Sequence, residues 1–500
     1  MSVQEVAIIG AGLSGLALAL ALHQQSIPCT VYEARDASLN IGGAVMLTPN
    51  ALKVLDTLGV YNRVRPKGYE CEFLYFRDDN DRPLDEFELG GQQKYGYKAL
   101  RIHRHELITE MLSMIRERQI PIQYGKKFVK IASESDKEVV WESADGIKHR
   151  ASFLVGADGI HSRVRQYLYP DLEPRFTHIV AITAELPTRQ LKVPNNYPLP
   201  ATIMNRRHGA FLISPQLADG SEVLIVRQKH EQELDRDGWN KLLADKAWCI
   251  DFLRSGKDDF PEIVRNAVAD IQYDKVSMWP FYFVPKLETW VSRQCRVVIL
   301  GDAAHAVPPS TAQGVNQAME DIYTFARVLA VCGRREVAAI APALKTWHHH
   351  RQERIDRLLE LNVQINTRRM PKLSNHDDVK NKNFVEDKFE LEWLYTVDLE
   401  KMVQNCLPNR SPNERLGNAE NSILQSAPTA AMDYNDGVIF KKREGTTIHV
   451  GSEHFQFMKL LSECPYFEYF NRREVFEGRR IDDGKAVVMK LDFQYVTNLN

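Results

Sequence analysis

The sequence predicts an α/β fold, and two observations carry this prediction. The first is a β-α-β unit at the start of the chain. Residues 4–9 form a short apolar strand, an Ala/Leu-rich helix runs to about Gln25, and residues 30–33 form a second strand. The second is a buried strand at residues 297–300 that leads into a helix from about residue 314 to 331. Strands that alternate with helices are typical of a sheet covered by helices.

The remaining segments complete this outline. Residues 104–118 have the apolar spacing of an amphipathic helix, and residues 122–155 and 178–230 alternate as strands do. Residues 342–366 predict a long, charged helix. Residues 405–435 are rich in Asn, Ser, Pro and Ala and show little periodicity, so they predict a linker or a disordered loop.

The composition of the 500-residue chain is that of an ordinary globular protein, with 44% hydrophobic and 26% charged residues. Its 64 basic and 66 acidic residues give a net charge of −2, which argues against a nucleic-acid-binding protein. The seven cysteines are scattered without a Cys-x-x-Cys pair. We therefore expect no disulfide framework, no zinc or other metal site, and a reducing, cytoplasmic location.

The apolar run at residues 6–22 could be taken for a signal peptide or a membrane anchor. No Lys or Arg precedes the run, three glycines interrupt it, and polar residues 23–25 end it. A signal peptide needs a basic start, and a spanning helix needs about 20 continuous apolar residues. We therefore expect no membrane span.

A G-x-G-x-x-G pattern, formed by Gly10, Gly12 and Gly15, lies where the first strand turns into the first helix. In such a turn the first glycine permits a tight bend, the second lets a pyrophosphate approach the backbone, and the third lets helix and strand pack closely. The helix N-terminus adds free N–H groups for the phosphates. Glu33 ends the second strand, where a carboxylate accepts hydrogen bonds from a ribose. A ligand-free glycine turn is the alternative, but strand, helix and acid together predict a Rossmann-like dinucleotide-binding domain for FAD or NAD.

Two further motifs lie far along the chain. In residues 153–165 (FLVGADGIHSRVR) a strand runs into Asp158 and a glycine, then a serine and two arginines. In residues 297–321 a strand ends near Asp302, a Pro-rich turn follows, and Gly314 opens a helix whose N-terminus faces a ligand in many α/β proteins. Each motif alone fits an ordinary turn, but three ligand-type motifs in this order are not expected by chance.

These three motifs resemble those of the class A, single-component FAD-dependent aromatic monooxygenases, the group of p-hydroxybenzoate and salicylate hydroxylases. The resemblance covers residues 4–370, and residues 279–285 (WPFYFVP) favour the fungal subgroup. A shorter match at residues 391–398 extends it to about residue 405. The resemblance implies a Rossmann-like FAD-binding domain with an inserted β-rich substrate domain and C-terminal helices.

The resemblance also implies roles for single residues. Those it places at FAD are Gly10, Gly12, Gly15, Glu33, Gly43, Ala44, Arg104, Asp158, Asp302, Gly314 and Val315. The first three glycines would hold the pyrophosphate, and Glu33 would hold the adenosine ribose. Gly43 and Ala44 would lie in a loop that contacts the flavin. The arginine would contact FAD, unless it is a surface residue at a helix start. Asp158 would contact both FAD and the nicotinamide donor, and Asp302 would bind the ribityl chain. The backbone N–H groups of Gly314 and Val315 would contact the flavin ring.

One position departs from the family pattern. Ala312 stands where relatives often have glycine, just before the glutamine of the third motif. Alanine adopts a positive φ at greater cost than glycine. We expect FAD binding to survive, with a difference in how the flavin is seated.

The activity implied by the resemblance is the hydroxylation or epoxidation of a small aromatic or polyketide/terpenoid-like substrate, with FAD as cofactor and NAD(P)H and O2 as co-substrates. The segment 179–290 would cover a closed, mostly apolar pocket, because water diverts such chemistry to peroxide. No catalytic residue is assigned. Two alternatives stay open: an FAD oxidoreductase that inserts no oxygen, and an interaction protein whose flavin domain is degenerate.

Three polar groups outside the glycine turn receive structural interpretations. Residues 348–350 (HHH) point in different directions on a helix, and with Arg351 beside them they predict a solvated helix face rather than a metal site. Arg206 and Arg207 predict a surface pair rather than an anchor for a phenolate or carboxylate. His305 follows the third motif in a strand-to-loop turn and is not assigned as a base.

The predicted domains are an FAD-binding domain from residues 1–178 and 291–405 with C-terminal helices, a substrate sheet at 179–290, a linker at 406–435 and a small C-terminal unit at 436–500. Residues 446–467 look like the opening of a BTB/POZ interaction domain whose later helices are missing. A truncated partner-binding module and a chance pattern both stay open.

Overall fold

The computed structural model describes residues 5–37, 43–333, 340–369 and 389–407, together with four strands between residues 437 and 492. The chain divides into two compact units, Met1–Asn409 and Arg410–Asn500.

The strands of the first unit, in chain order, are β1 Val6–Ile9, β2 Cys29–Tyr32, β3 Ala44–Leu47, β4 Tyr69–Cys71, β5 Phe73–Arg77, β6 Pro83–Glu88, β7 Ala99–His103, β8 Ile122–Gln123, β9 Phe128–Glu134, β10 Val139–Ser143, β11 Lys148–Ala151, β12 Phe153–Gly156, β13 Arg175–Pro187, β14 Ala201–Asn205, β15 Gly209–Pro215, β16 Glu222–His230, β17 Val276–Phe283 and β18 Val297–Ile299. Its helices are α1 Leu13–Gln24, α2 Pro49–Thr57, α3 Tyr61–Val64, α4 Gln92–Tyr95, α5 Arg104–Glu117, α6 Arg163–Leu168, α7 Arg236–Ala244, α8 Lys246–Arg254, α9 Glu262–Ala267, α10 Asp302–His305, α11 Gly314–Gly333, α12 Ile340–Arg369, α13 Glu392–Tyr395 and α14 Leu399–Cys406.

A parallel sheet in the order β18-β12-β1-β2-β8 forms the dinucleotide-binding half of the unit. Its strands β1, β2, β12 and β18 are buried throughout, as expected for strands covered on both faces. Helix α1 is buried along most of its length and contacts α5 and α11. The predicted β-α-β unit and the predicted helix from Gly314 are confirmed.

A second sheet of seven strands, in the order β17-β13-β16-β15-β14-β5-β6, packs one face against α7, α8 and α9. This sheet is larger than the predicted segment 179–290, because β5 and β6 come from the region that the sequence assigned to the FAD-binding domain. Strand β5 pairs in parallel with β14, with Tyr75 opposite Ala201. A local sequence pattern does not indicate a partner this far along the chain.

The other face of the seven-stranded sheet meets a third apolar cluster near β5 and β6. Leu74 and Phe87 of the sheet pack there with Leu358 of α12 and Leu394 of α13. A small antiparallel sheet in the order β3-β7-β4 and another in the order β11-β10-β9 complete the first unit. Among the helices described above, none is long and apolar enough to cross a bilayer.

The second unit contains one antiparallel sheet. Its strands are β19 Gly437–Lys441, β20 Thr447–Gly451, β21 Val475–Asp482 and β22 Lys485–Asp492, in the order β20-β19-β21-β22. The predicted linker lies outside the described residues from position 408 onward, and only β20 falls within the segment that looks like a BTB/POZ opening.

Candidate active site

In the glycine turn between β1 and α1, the fold requires glycine at two positions, and the third position has open space around it. Gly10 has a φ of +106°, and a Cβ built on it would lie 2.6 Å from the carbonyl oxygen of Ala157. A Cβ on Gly15 would lie 1.9 Å from the carbonyl oxygen of Gly10. A Cβ on Gly12 would meet no described atom within 4 Å. The first and third glycines therefore permit close packing, while the middle one leaves the turn accessible to a ligand.

Glu33 lies directly beside this turn, just after β2. Its side chain is buried, its Oε2 accepts a hydrogen bond from the backbone N–H of Ala11 at 2.8 Å, and its Oε1 accepts one from the backbone N–H of Arg35 at 3.0 Å. The carboxylate is thus held in place by two backbone donors. It lies where the sequence predicts a ribose-binding acid.

Asp158 follows β12 at the same edge of the parallel sheet. Its Oδ2 accepts hydrogen bonds from the backbone N–H groups of Arg163 at 2.8 Å and Val164 at 3.2 Å, so it caps α6. Its Oδ1 is buried and has no hydrogen-bond partner among the described residues. Burial raises the pKa of this carboxyl. A buried acceptor without a protein donor points to a ligand that donates one.

Arg165 connects the second motif to the third. Its side chain is fully buried, one Nη donates to the carbonyl oxygen of Ala303 at 3.0 Å, and the other donates to that of Ile160 at 2.6 Å. The pairing of Gly156 with Ile299 places β12 and β18 side by side. The motif shows this arginine in the sequence, but its role depends on that pairing and was not predicted.

Asp302 and the start of α11 lie next to each other after β18. Asp302 is the exposed first residue of α10, and its side chain makes no hydrogen bond to the residues the structure describes. A Cβ built on Gly314 would lie 3.7 Å from Asp302 Oδ1. Gly314 and Val315 are the first two residues of α11. A free carboxylate therefore lies beside the free N–H groups of a helix N-terminus.

The predicted flavin-contacting loop is joined to both β7 and α11. The backbone N–H of Arg104 donates to the carbonyl oxygen of Gly43 at 3.0 Å, and Ala44 pairs with the residue before Arg104. The side chain of Asn316 donates to the carbonyl oxygen of Met46 at 3.0 Å. The structure thus brings Gly43, Ala44 and Arg104 together and connects them to the first turn of α11, whereas sequence reasoning missed Asn316.

Ala312 adopts the conformation that makes its presence unusual. Its φ is +55° and its ψ is 28°, in the left-handed region, after a short 3₁₀ turn at Pro309–Thr311. Its carbonyl oxygen accepts a hydrogen bond from Asn316 at 2.7 Å. A left-handed conformation costs a non-glycine residue roughly 1–2 kcal/mol. The predicted departure from the family pattern therefore falls on a strained position.

The two acids at the end of the third motif belong to a buried ion-pair network. Arg351 Nε donates to Asp321 Oδ1 at 2.7 Å and its Nη1 donates to Glu320, while Arg354 Nε donates to Glu320 Oε2 at 2.6 Å. His305 Nε2 lies 2.5 Å from Asp321 Oδ2, so this histidine is held by a carboxylate. Burial alone would raise the pKa values of Glu320 and Asp321, but the neighbouring cations hold both below their ordinary values.

The predicted solvated face around residues 348–350 is wrong in two places. Arg351 is fully buried, because its carboxylate partners lie on the adjoining helix α11. His348 is partly buried against Trp290, and burial lowers its pKa to about 4. Only the side chain of His349 is well exposed, at 70%. The described part of the chain holds no cluster of three or more His, Cys, Asp or Glu placed to bind a metal ion.

The arginine pair on the turn between β14 and β15 lies at the surface. Arg206 and Arg207 are both exposed, and Arg207 forms an exposed contact of 3.6 Å with Asp259. The surface interpretation is confirmed.

The seven-stranded sheet covers the predicted flavin-contacting loop. A Cβ built on Gly43 would lie 3.1 Å from the indole of Trp279, which is opposite Ala181 on β13. On the same small sheet as this loop, His103 Nε2 lies 3.5 Å from the carboxylate of Glu222 at the start of β16. The two sheets therefore face each other across the loop, and the sheet face between these contacts is the wall of a candidate substrate chamber.

The amino-acid sequence is similar to those of known flavin-dependent proteins. Residues 3–362 match the family described as "FAD binding domain". The chain belongs to this family. Relatives of the FAD-binding chain include 6-hydroxynicotinate 3-monooxygenase of Bordetella bronchiseptica, with 27% identity over 375 residues that cover 73% of this chain and 93% of the relative. Another is an FAD-dependent monooxygenase of Gibberella moniliformis, with 27% identity over 441 residues, 80% of this chain and 96% of the relative.

Solved structures agree with this assignment at the level of the fold. A salicylate hydroxylase in complex with its substrate matches 82% of this chain and 100% of its own, with a TM-score of 0.65 and 22% identity. Together with the family match, these findings make the chain an FAD-dependent monooxygenase of the class A type, with FAD as cofactor and NAD(P)H as the reductant typical of the family.

Proposed function

We propose that this monooxygenase hydroxylates or epoxidises a small aromatic substrate held between the flavin loop and the seven-stranded sheet. The observation that carries the proposal is the position of Trp279 over Gly43, which places one face of the seven-stranded sheet directly over the loop predicted to contact the flavin. Bound FAD and substrate would lie under that face, and the reaction requires such shielding from water.

The FAD contacts of single residues are part of the same proposal. Gly12 leaves room for the pyrophosphate, Glu33 receives the adenosine ribose hydroxyls, and Asp302 receives the ribityl hydroxyls. The orphaned Oδ1 of Asp158 accepts a hydrogen bond from FAD or from the nicotinamide donor. Gly43, Ala44 and Arg104 contact the cofactor from the loop side.

The protein's own part in the reaction is to orient and to exclude water. Bound FAD supplies the redox chemistry that activates O2 with electrons from NAD(P)H. The first N–H groups of α11, at Gly314 and Val315, would favour negative charge on a flavin ring bound beside them. The hydrogen bond from the Asn316 side chain to the carbonyl oxygen of Met46 joins the flavin-contacting loop to this end of the helix. No side chain is assigned as general base.

The substrate class is supported by the relatives. The Bordetella relative is named for 6-hydroxynicotinate and the solved structure for salicylate, both small aromatic acids. The polyketide-like and terpenoid-like substrates that the resemblance also implied stay a prediction. The fungal subgroup is supported by the WPFYFVP run and by the long match to the Gibberella moniliformis protein. A cytoplasmic location is supported by the six described cysteines, all of which are buried and outside any disulfide bond.

A substrate screen tests this function. The purified holoenzyme is incubated with NADH or NADPH, O2 and a panel of hydroxybenzoates, hydroxypyridines and larger phenols, and nicotinamide oxidation is followed together with product mass. We expect at least one aromatic compound to accelerate oxidation and to gain one oxygen atom. Stimulated oxidation with peroxide as the sole product across the panel would instead support an oxidoreductase that inserts no oxygen.

The C-terminal unit is proposed to be an appendage of the catalytic unit. The boundary between the compact units at residues 409 and 410 supports this division. A chain that ends at Leu407 should keep its FAD and its nicotinamide oxidation. An insoluble or flavin-free truncated protein would contradict this proposal. A truncated protein that keeps its FAD and its activity but no longer binds a protein partner would favour the partner-binding module.

A further inference from the structure

Arg101 is a buried cation on the face of the small sheet that looks toward the seven-stranded sheet. It lies on β7 opposite Met46 of β3, two residues from His103, which is opposite Ala44. Residues two apart on a strand share a face. Arg101 therefore lies on the same face as Ala44 of the flavin-contacting loop.

The guanidinium of Arg101 reaches the seven-stranded sheet. Its Nη2 donates to Oε1 of Gln216, which is fully buried just after β15. The alternation along β15 places Gln216 on the face opposite to Ile213, which packs against the helices α7 to α9. Arg101 thus lies at the same inter-sheet gap as Trp279 and Gly43, at another point along it.

Among the described residues, no carboxylate pairs with the charge of Arg101. The contact with Gln216 is long, at 3.3 Å, and the Nε of Arg101 is buried with no hydrogen-bond partner among the described residues. Glu185, next in this chain of contacts, lies 3.4 Å from Gln216 and 3.5 Å from Lys275. Burial lowers the pKa of Arg101 to about 10, so it still carries its charge at neutral pH.

An unpaired buried charge is costly to a protein, so its presence calls for an explanation. Arg165 and Arg227 also have a buried Nε without a partner among the described residues, but their terminal nitrogens donate to backbone carbonyl oxygens, and Arg351 pairs with carboxylates. Arg101 differs because its single hydrogen bond to the described residues is the long one to Gln216, at the gap between the sheets. A bound anion would supply those acceptors.

We propose that Arg101 is the anchor for an anionic group of the substrate, a carboxylate or a phenolate, with Gln216 as its positioning neighbour. The inference rests on the proposed function, since it assigns a substrate class to that same chamber. It predicts that the enzyme prefers aromatic anions over their neutral analogues of the same shape.

The test measures binding to the oxidised holoenzyme through the change in flavin absorbance. The probes are matched pairs of acids and amides: salicylate with salicylamide, and 4-hydroxybenzoate with 4-hydroxybenzamide. We expect wild-type protein to bind at least one acid more tightly than its amide. In Arg101→Met, the Kd for that acid should rise about 10- to 150-fold, with the Kd for the amide nearly unchanged.

Stability and cofactor affinity separate this role from its alternatives. Arg101→Met removes an unpaired buried charge, so its melting temperature without ligand should equal or exceed that of wild type. Arg207→Met removes an exposed arginine and serves as the matched control, with no change in either Kd. Arg101→Lys keeps a charge but not the fork and should recover part of the acid binding.

Three results would overturn the proposal. A lower melting temperature in Arg101→Met would show a structural role, and weaker FAD binding would place Arg101 at the cofactor instead. A wild-type enzyme that binds no acid of the panel, or binds each amide as tightly as its acid, would also contradict it. The proposed function itself fails separately, if no aromatic compound in the wider screen gains oxygen.

Discussion

The carboxylate of Glu33 accepts a hydrogen bond from the backbone N–H of Ala11 at 2.8 Å, so the acid after β2 is joined directly to the glycine turn. A second backbone donor, from Arg35, fixes its other oxygen. The acid therefore shapes the turn in addition to its predicted contact with the ribose, and this combination leads to the first prediction.

Replacing Glu33 with alanine should weaken FAD roughly 10- to 150-fold, because charge-assisted hydrogen bonds contribute about 1.5–3 kcal/mol each. Glu33→Gln keeps an acceptor for Ala11 but loses the charge, and should fall between wild type and alanine. Titration of FAD into the three apoproteins measures the effect. Equal FAD affinity in all three would remove Glu33 from the cofactor site.

The glycines of the turn should respond differently to the same substitution. Gly12 has a φ of −82°, which any residue adopts, and a Cβ there meets open space. Gly12→Val should therefore stay folded and soluble but lose bound FAD. Gly15→Val should fail to fold, because its Cβ would lie 1.9 Å from a carbonyl oxygen. Flavin absorbance and solubility check both, and a Gly12→Val protein with full flavin content would contradict the placement of the pyrophosphate.

Asp302→Ala should weaken FAD by roughly 10- to 150-fold through the loss of a charge-assisted hydrogen bond. Its side chain is exposed and makes no hydrogen bond to the described residues, so the melting temperature of the apoprotein should barely change. The two measurements together are decisive. A lower melting temperature with unchanged FAD affinity would mean that Asp302 only supports the local turn.

Ala312→Gly should stabilise the apoprotein by about 1 kcal/mol, since it relieves a left-handed alanine at φ +55°. The greater flexibility of glycine in the unfolded chain offsets part of this gain. Denaturant unfolding of wild type and variant measures the difference. A less stable variant would show that the alanine methyl group makes contacts that outweigh the strain.

His348 should make the protein sensitive to acid. Burial lowers its pKa from 6.5 to about 4, so the unfolded chain takes up its proton first as the pH falls. Stability is therefore lost between about pH 6.5 and pH 4. Between pH 7 and pH 5, wild type should lose about 1–2 kcal/mol more than His348→Leu, allowing for partial exposure. His349→Leu, at an exposed neighbour, should behave like wild type, and equal losses in all three would refute the assignment.

The sequence predicts which residues gather at one edge of the parallel sheet, because each of the three motifs is local. A strand, a turn and a helix start lie within a few residues of Gly10, Asp158 and Asp302, and parallel strands bring their carboxyl ends to one edge. The resemblance to relatives, which often have glycine at this position, singles out Ala312 before its φ is known.

The parts that escaped prediction depend on contacts between distant segments. Arg351 appears in a charged stretch of sequence, and only the packing of α12 on α11 shows that it pairs with Glu320 and Asp321. The two adjacent acids in the first half of helix α11 were the available signal. The sequence around Arg101 gives no such signal. This arginine stands out only once the packing of the two sheets shows that it is buried without a carboxylate partner among the described residues.

The most direct test of the central claim is the origin of the oxygen atom in the product. The holoenzyme is supplied with NAD(P)H, an accepted aromatic substrate and oxygen-18 gas, in water of natural isotopic composition. The account predicts a product that carries one oxygen-18 atom, formed with the oxidation of one NAD(P)H. A product with oxygen from water, or labelled peroxide with unchanged substrate, would contradict the assignment as a monooxygenase.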